Sequence, residues 1–289
     1  MPGAAFDVLV VGSANLDVVV HAARHPLPGE TLLGRDLAEF AGGKGLNQAV
    51  AAARSGAQTA FVGALGDDPA GDRLRRVLAD DAIDATHVAT MSAPTGRALI
   101  VVADDGENTI VVAPGANASV TCPAPLPTAR VVLAQLELPV DTVAAALAAG
   151  RAAGSLTVLN PAPAAELALD VLSLADFIVP NHHEVELLGG PQRLLAAGAR
   201  AVVVTRGGAG VDVYTTDGID HVPPHPVQPV DTTGAGDAFC GSLAARLAAG
   251  DELATAVRWA AVAGALATTV PGAVAGQPTA AAIRSALSR

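Results

Sequence analysis

The stretch of sequence that says most about this fold is residues 231–237, which read Asp231-Thr232-Thr233-Gly234-Ala235-Gly236-Asp237. Small residues here let backbone N–H groups turn inward at the start of a helix that the sequence predicts over 235–249. Such a turn attracts negative charge, so the stretch predicts a hole for a transferring phosphoryl group. Asp237, in the first helical turn, could accept a proton from an attacking hydroxyl. The alternative is an ordinary capped turn in which Asp237 only balances the helix dipole.

The chain after residue 130 alternates short apolar runs with helical stretches. The runs cover 131–136, 156–159, 177–179 and 201–204, and they are typical of a parallel sheet buried on both faces. A polar residue stands at the end of each run, directly after it for Glu137, Asn160 and Thr205 and one residue further on for Asn181. Because ligands bind at the carboxyl ends of parallel strands, we expect these four side chains to converge on one crevice.

The first part of the chain is richer in strands. We expect extended segments at 7–11, 15–20, 30–40, 59–65, 96–102 and 109–112, with a hairpin turn at 104–106. A helix is expected from Gly45, where apolar residues recur at helical spacing, and two more helices at 253–268 and 279–287. The sequence contains no internal repeat and no low-complexity linker.

The composition excludes several classes of protein. Hydrophobic residues make up 51% of the 289 residues, enough for a substantial core. A net charge of -11 argues against a nucleic-acid or anionic-membrane partner. Because no run approaches the roughly 20 apolar residues of a membrane span, we expect a soluble cytoplasmic protein. Cys122 and Cys240 lie far apart and outside any metal or redox motif, so they are read as buried thiols rather than a disulfide.

Two long stretches are similar to the signatures of a known enzyme family. Residues 231–237 resemble the C-terminal signature of the ribokinase-like (PfkB) carbohydrate kinases. Residues 42–49 resemble the N-terminal signature of the same family; they read Gly42-Gly43-Lys44-Gly45-Leu46-Asn47-Gln48-Ala49. The match is to the form of this signature found in the members that phosphorylate ribose. Shorter matches follow in the family's order at 12–17, 135–137, 160–163, 180–184 and 205–208. The resemblance therefore spans nearly the whole chain.

The resemblance implies ATP-dependent phosphorylation of D-ribose at its 5-hydroxyl, which yields ribose 5-phosphate and ADP. It implies one α/β domain over 1–289, a three-layer Rossmann-like fold with a mostly parallel sheet. It also implies a small β-sheet lid formed by about 14–41 and 93–115. Family members often dimerise through this lid, so we expect a homodimer.

Carried over position by position, the resemblance implies that Asp237 is the base and that Gly234, Ala235 and Gly236 surround the transferring phosphoryl group. The residues implied to hold the sugar are Asn15, Asp17, Gly43, Lys44, Asn47, Glu137 and Asp237. Asn15 and Asp17 lie two residues apart on a strand and so face the same side. Lys44 is the only lysine among 17 Lys and Arg residues, and as a compact charge it could reach the transferring phosphate.

The resemblance also implies ATP, Mg²⁺ and an activating K⁺. The residues implied to border ATP and its Mg²⁺ are Asn181, Glu184, Thr205, Gly207, Gly210 and Gly236. The residues that match the K⁺ site are Asp231, Thr233, Ala267, Val270, Gly272 and Gly276. His182 and His183 lie between the matching positions and are interpreted as bystanders rather than metal ligands.

Departures from the family pattern leave alternatives open. Ala261 stands where the family commonly has a larger polar residue beside the adenine, and residues 272–277 differ from the usual wording. One alternative is a PfkB-type kinase for deoxyribose, a sugar phosphate or a nucleoside. Another is a catalytically silent sugar-binding sensor, which the presence of Asp237 and its glycines disfavours. A dinucleotide-dependent oxidoreductase is excluded because no G-x-G-x-x-G follows the first strand.

Overall fold

The computed structural model describes residues 3–288, which form thirteen strands and nine α-helices. The strands, β1 to β13 in chain order, are Phe6–Val11, Asn15–His21, Asp36–Gly42, Thr59–Gly66, Asp84–Met91, Gly96–Val102, Asn108–Ala113, Ala129–Gln135, Leu156–Asn160, Phe177–Ile178, Ala201–Thr205, Val211–Thr215 and Gly218–Val222. The helices, α1 to α9, are Lys44–Arg54, Pro69–Asp80, Val140–Ala152, Leu169–Leu172, His182–Leu187, Pro191–Ala196, Ala235–Ala248, Leu253–Ala267 and Ala280–Leu287.

The larger sheet has nine strands in the order β13-β12-β11-β10-β9-β8-β1-β4-β5. Neighbours from β11 to β5 are parallel, and β12 and β13 extend one edge in antiparallel fashion. Side chains alternate along β1: Val8 and Val10 pack with α1, α2, α7 and α8, whereas Leu9 and Val11 pack with α3 to α6. The three-layer, mostly parallel fold predicted from the sequence is therefore confirmed.

The smaller sheet has four strands in the order β3-β2-β6-β7. Its strands β2 and β6 are parallel, while β3 and β7 pair antiparallel with them at the two edges. The predicted hairpin at 104–106 joins β6 to β7, and a 3₁₀ turn, Gly115–Ser119, leads back toward the larger sheet. This sheet matches the second, smaller sheet expected for the fold class.

The predicted extended segment at 30–40 is only partly correct. Strand β3 begins at Asp36, because its partner β2 ends at His21, which pairs with Asp36. Of the residues before Asp36, Arg35 still donates its N–H to the carbonyl oxygen of His21 at 2.9 Å, but residues 30–34 have no strand beside them and follow a turn at Pro28–Gly29. Four elements are absent from the sequence prediction: α2 and the strands β5, β12 and β13. Polar, exposed patterns at the sheet edges hide β5 and β13, and β12 is short and half-buried. Asp68 and Pro69 are recognisable start signals for α2.

Close packing of α1 against α7 brings together the two stretches that the sequence singles out. A β-carbon added to Gly241 of α7 would lie 2.2 Å from the carbonyl oxygen of Gln48 and 2.6 Å from Cβ of Ala51, both on α1. Only glycine therefore allows this approach. As a result, the first turn of α7, which carries Asp237, lies against Asn47 and Gln48 of α1. Within residues 3–288, no helix is both long and apolar enough to cross a bilayer.

Candidate active site

The carboxylate of Asp237 is buried at the start of α7 and is held by two amides from α1. Asn47 Nδ2 lies 3.0 Å from Asp237 Oδ2, and Gln48 Nε2 lies 2.9 Å from Oδ1. Each oxygen keeps a further lone pair for another partner. Burial raises the pKa of Asp237 above its ordinary value, while Lys44 and the two amides oppose the rise. A carboxylate with a raised pKa is suited to accept a proton near neutral pH.

A chain of side-chain amides leads from the larger sheet to Asp237. Gln135 Nε2, at the end of β8, donates to Gln48 Oε1 at 2.7 Å, and Gln48 Nε2 also lies 3.0 Å from Asn160 Oδ1. Asn160 Nδ2 donates in turn to the carbonyl oxygen of Val179 at 2.8 Å. Gln48 and Gln135 are fully buried. The chain therefore fixes which atom of Gln48 faces Asp237.

The loop before α7 has the geometry of an anion hole. Gly234 has φ of 76°, in the left-handed region that glycine adopts without strain. The first helical hydrogen bond runs from the N–H of Ala238 to the carbonyl of Gly234, at 2.8 Å. The amides of Gly236 and Asp237 therefore precede the helical ladder, where backbone N–H groups bind anions.

One lysine lies among several carboxylates. Burial would lower the pKa of Lys44, but the charges of Asp237, Glu137 and Glu184 raise it above its ordinary value. Burial, with the nearby charges of Glu137 and Asp237, raises the pKa of Asp17 to about 7. Burial likewise raises the pKa of Glu184. The site therefore keeps a charged ammonium group next to carboxyl groups that tend to hold their protons.

Glu137 is fixed by contacts to one of its two carboxylate oxygens. Ser13 Oγ donates to Glu137 Oε2 at 2.5 Å, and the backbone N–H of Lys44 donates to the same oxygen at 3.1 Å. Asn15 and Asp17 lie nearby on β2 in the register expected for one face, with Asn15 opposite Gly42 of β3. Apart from Asp237, the residues predicted to hold the sugar thus come from β2, the start of α1 and the segment after β8. We call them the sugar side of the site.

A cavity of about 140 Å³ lies over Asp237. Its lining residues are Lys44, Asn160, Ala162, Val179, Asn181, Glu184, Thr205, Gly234, Gly236, Asp237 and Cys240. Three of the four polar residues expected at strand ends therefore converge as predicted. The fourth, Glu137, does not line this cavity, because β8 ends at Gln135 and places that residue at the strand end instead. Glu137 is connected to the cavity through Lys44, which lines it and donates its backbone N–H to the Glu137 carboxylate.

Asn181 and Glu184 form a reciprocal cap at the start of α5. Asn181 Oδ1 accepts from the N–H groups of His183 and Glu184 at 2.9 Å, and Glu184 Oε2 accepts from the N–H of Asn181 at 2.8 Å. The cap holds both side chains at the cavity edge. His182 and His183 are exposed and outside the lining. In the part of the chain that the structure describes, no three His, Cys, Asp or Glu side chains cluster in a way that could hold a metal.

A second cavity of about 420 Å³ adjoins the first and shares Thr205 and Gly236 with it. Gly207, Gly210 and Ala261 also line it. Most of its wall is Gly, Ala, Val, Pro and Phe, and among residues 3–288 His225 is the one titratable side chain that lines it. We call the two spaces the small cavity and the apolar cavity.

The segment after α8 is tied to the loop before α7. Asp231 Oδ1 accepts from the N–H of Thr233 at 2.9 Å, and Oδ2 accepts from the N–H of Gly272 at 2.8 Å. Burial would raise the pKa of Asp231, but these hydrogen bonds outweigh it and lower the pKa below its ordinary value. A β-carbon on Gly276 would lie 2.7, 3.0 and 3.1 Å from the carbonyl oxygens of Ala267, Gly272 and Val270. The predicted cation residues are thus neighbours.

Several residues of the site have no role in the sequence prediction. Gln48 and Gln135 belong to matched stretches, so their position in the motifs is the signal that could have found them. Ser13, which holds Glu137, also lies in a matched stretch, 12–17, whereas Cys240, which lines the small cavity, carries no signal of its own. Both cysteines are free thiols, but only Cys240 is buried, so the expectation of two buried thiols is wrong for Cys122.

Comparisons with known proteins point to one family of enzymes. The family model described as pfkB family carbohydrate kinase matches residues 5–280. A bifunctional ribokinase/ribose-5-phosphate isomerase A of Fructilactobacillus sanfranciscensis is 38% identical over 303 residues, which cover 98% of this chain and 56% of that relative. A ribokinase of Haemophilus influenzae is 38% identical over 289 residues, 93% of this chain and 94% of the relative.

A solved structure of Arabidopsis thaliana ribokinase, complexed with ribose and ATP, superposes with a TM-score of 0.89 at 30% identity. The superposition covers 98% of each chain. The family match over 5–280, the identity to these relatives and the shared architecture lead to one conclusion: the chain belongs to the pfkB family of carbohydrate kinases.

Proposed function

We propose that this protein transfers the γ-phosphoryl group of ATP to the 5-hydroxyl of D-ribose, giving ribose 5-phosphate and ADP. The observation that carries the proposal is the buried Asp237 carboxylate at the mouth of an anion hole, between polar sugar-side residues and the apolar cavity. The Arabidopsis relative that binds ribose and ATP supports the choice of both substrates.

In the proposed mechanism, Asp237 takes the proton from the 5-hydroxyl as that oxygen attacks the γ-phosphorus in line with departing ADP. The backbone amides of Gly236 and Asp237 stabilise the negative charge of the transferring group, while Gly234 and Ala235 set the geometry of the loop that presents them. Lys44 adds a compact positive charge at the edge of the small cavity. Burial of Asp237 excludes water, which would otherwise compete for the phosphoryl group.

We further propose that Asn15, Asp17, Gly43, Lys44, Asn47 and Glu137 hold the sugar. Buried amides and carboxylates discriminate among sugars, because an analogue that lacks a hydroxyl leaves one of them unpaired. On the nucleotide side, Thr205, Gly207 and Gly210 border ATP in the apolar cavity, and Asn181 and Glu184 lie near its phosphates.

The residues present fit Mg²⁺ carried in with ATP. Mg²⁺ keeps several waters and binds through one or two carboxylates together with substrate phosphates, and Glu184 has one oxygen outside its cap bond. Mg²⁺ would supply charge neutralisation on the phosphates. In its absence Asn181 and Glu184 still fix the edge of the small cavity through their reciprocal cap.

The loop of Asp231, Thr233, Ala267, Val270, Gly272 and Gly276 fits an activating K⁺. Three carbonyl oxygens crowd around Gly276, and carbonyl oxygens are the groups that replace the hydration shell of K⁺. The cation would brace the loop that carries the anion hole. Replacing K⁺ with tetramethylammonium should lower kcat several-fold, and equal rates in both salts would contradict the assignment.

We propose that the smaller sheet acts as a lid, formed by about 14–41 and 93–115, and joins two copies into a homodimer. Both of its faces carry exposed apolar residues: Phe40 and Val112 lie on the face of Asp17, and Leu99 and Val111 on the other. A single chain leaves these side chains exposed to water, and a second copy of the chain would bury them. Light scattering after size exclusion should give twice the mass of one chain; a monomer would contradict the proposal.

The test of the function is a coupled ADP-release assay with ATP, Mg²⁺ and K⁺ against ribose, 2-deoxyribose, other pentoses, hexoses, fructose 6-phosphate and adenosine. D237N is assayed beside the wild type. Ribose should give the highest kcat/KM, and D237N should lose ~10³-fold in kcat, the size of a general-base contribution. Preference for another acceptor would keep the kinase and discard ribose. Ribose binding without turnover would indicate the silent sensor.

A further inference from the structure

Asn117 lies outside every residue assigned above, yet it contacts the sugar side of the site. It belongs to the 3₁₀ turn Gly115–Ser119, which links β7 of the smaller sheet to the larger one, and it is 1% exposed. We infer that Asn117 is a positioning residue that sets sugar specificity, because it dictates which end of the Asn15 amide faces the sugar. This inference rests on the proposed function.

The orientation of the Asn117 amide is fixed by the backbone. The N–H of Ala14 donates to Asn117 Oδ1 at 3.1 Å, and Asn117 Nδ2 donates to the carbonyl oxygen of Ala14 at 3.2 Å. A backbone N–H can only donate and a carbonyl can only accept. The oxygen and nitrogen of Asn117 therefore cannot exchange places without breaking both bonds.

The second proton of Asn117 Nδ2 then fixes Asn15. Asn117 Nδ2 donates to Asn15 Oδ1 at 2.8 Å, so Asn15 must keep its oxygen on this side and turn its amide nitrogen away. That nitrogen bonds no acceptor within residues 3–288 and is not enclosed. Asn15 thus offers the sugar two N–H donors and no acceptor.

The contact between the two amides depends on Gly96 at the start of β6. A β-carbon on Gly96 would lie 2.3 Å from both Asn117 Nδ2 and Asn15 Oδ1. Any other residue at position 96 would drive the pair apart. The residue that makes room for the bond belongs to the smaller sheet, so the sheet, the 3₁₀ turn and Asn15 form one unit.

A donor-only Asn15 binds a sugar hydroxyl that lies within reach as a hydrogen-bond acceptor. An epimer places that hydroxyl on the other side of the ring, so the two N–H groups of Asn15 lose their partner. Without Asn117, the Asn15 amide could rotate and offer either end. Affinity for the preferred sugar would fall, and so would the ratio of kcat/KM for that sugar over kcat/KM for its epimers. The chemical step at Asp237 would be untouched.

The experiment compares N117D, N117A and the exposed-amide control Q192A with the wild type. Steady-state kinetics are measured with D-ribose, its C2 epimer D-arabinose and ATP, and the Tm of each variant by circular dichroism. N117D, which puts an acceptor where Nδ2 donates, should raise KM for ribose ~30-fold, and N117A ~10-fold. KM for ATP and kcat at saturating ribose should stay within ~3-fold. The ratio of kcat/KM for ribose over arabinose should fall ~10-fold, and Q192A should match the wild type.

Unchanged KM for ribose in folded N117A would overturn the inference, as would an equal loss in kcat or in KM for ATP. If both Asn117 variants unfold at the assay temperature, Asn117 is a stability residue and the inference also falls. If the wild type prefers another sugar in the panel, the same comparison is made with that sugar and its epimer, and only the choice of ribose fails. A wild type inactive on every acceptor would overturn the proposed function and this inference together.

Discussion

The two cavities of the site differ sharply in chemistry although they share Thr205 and Gly236. The small cavity and its sugar side bring Asp17, Glu137, Glu184 and Asp237 around Lys44, and several of these pKa values are displaced. The apolar cavity is three times larger and, within residues 3–288, has His225 as its one titratable lining residue. Buried charges recognise a ligand atom by atom, whereas an apolar wall recognises it by shape. Substitutions on the charged side should therefore cost more activity and depend more on pH.

The largest expected effect is that of D17N. Asp17 is proposed to hold a sugar hydroxyl, and D17N replaces one of its two carboxyl oxygens with an NH₂ donor, so kcat/KM for ribose should fall ~10³-fold. The pKa of Asp17 is raised to about 7, so the folded chain holds this proton more tightly than the unfolded chain does. The stability from this group is greatest below pH ~4 and is lost as the pH rises through about 7.

D17N stays neutral at every pH, so it should be more stable than the wild type at pH 8, by ~5 °C in Tm. The difference should shrink toward pH 4. Circular dichroism melts at both pH values measure it, and D67N, at an exposed position after β4, serves as the control. A Tm equal to wild type at pH 8 would show that burial and the neighbouring carboxylates do not destabilise the charged form of Asp17.

The next effect is that of K44R. The compact ammonium of Lys44 is surrounded by Asp237, Glu137 and Glu184, and a planar guanidinium of larger volume cannot take its place without displacing them. We expect kcat/KM to fall ~100-fold in coupled assays, although the charge is kept. Full activity in K44R would contradict this prediction, because it would show that arginine can replace the only lysine of the chain.

A smaller effect is expected for Q48L, which breaks the amide chain without touching a substrate. The hydrogen bond from Gln48 lowers the pKa of Asp237, so its loss should raise that pKa further. The acid limb of the pH profile of kcat/KM should move to higher pH, and kcat should fall ~20-fold while KM for ATP is unchanged. The exposed Q58L is the matched control; an acid limb that does not move would mean that the chain only supports packing.

The smallest effect tests the apolar cavity. Ala261 lines it, and A261L adds three carbons to the wall, which should raise KM for ATP ~5-fold through lost space. KM for ribose should be unchanged, and the pH profile should keep its shape. If A261L shifted the pH profile instead, the division between a charged side and a shape-selective side would fail.

Much of this architecture could be predicted from the sequence, and the failures have physical causes. The buried strands β8 to β11 are continuous apolar runs, so their pattern is unmistakable, whereas β5 and β13 lie at sheet edges and alternate with polar residues. Asp237 and Lys44 were predicted because they lie inside long motifs. Ser13 lies in a matched stretch but had no predicted role, and Asn117 lies in none; each acts through a partner about a hundred residues away in sequence. Only the fold reveals such contacts.

Because the chain has a single lysine, proteolysis at that residue can report when the site opens. Lys44 lies in the first turn of α1 and is largely enclosed by the carboxylates of the site. A lysine-specific protease has one internal site to cut in the whole chain, and that site is protected while α1 stays docked. The rate of cleavage into two fragments therefore measures directly how often the sugar side opens. Ligands that close the site should slow the cut in proportion to their occupancy, with no label attached to the protein.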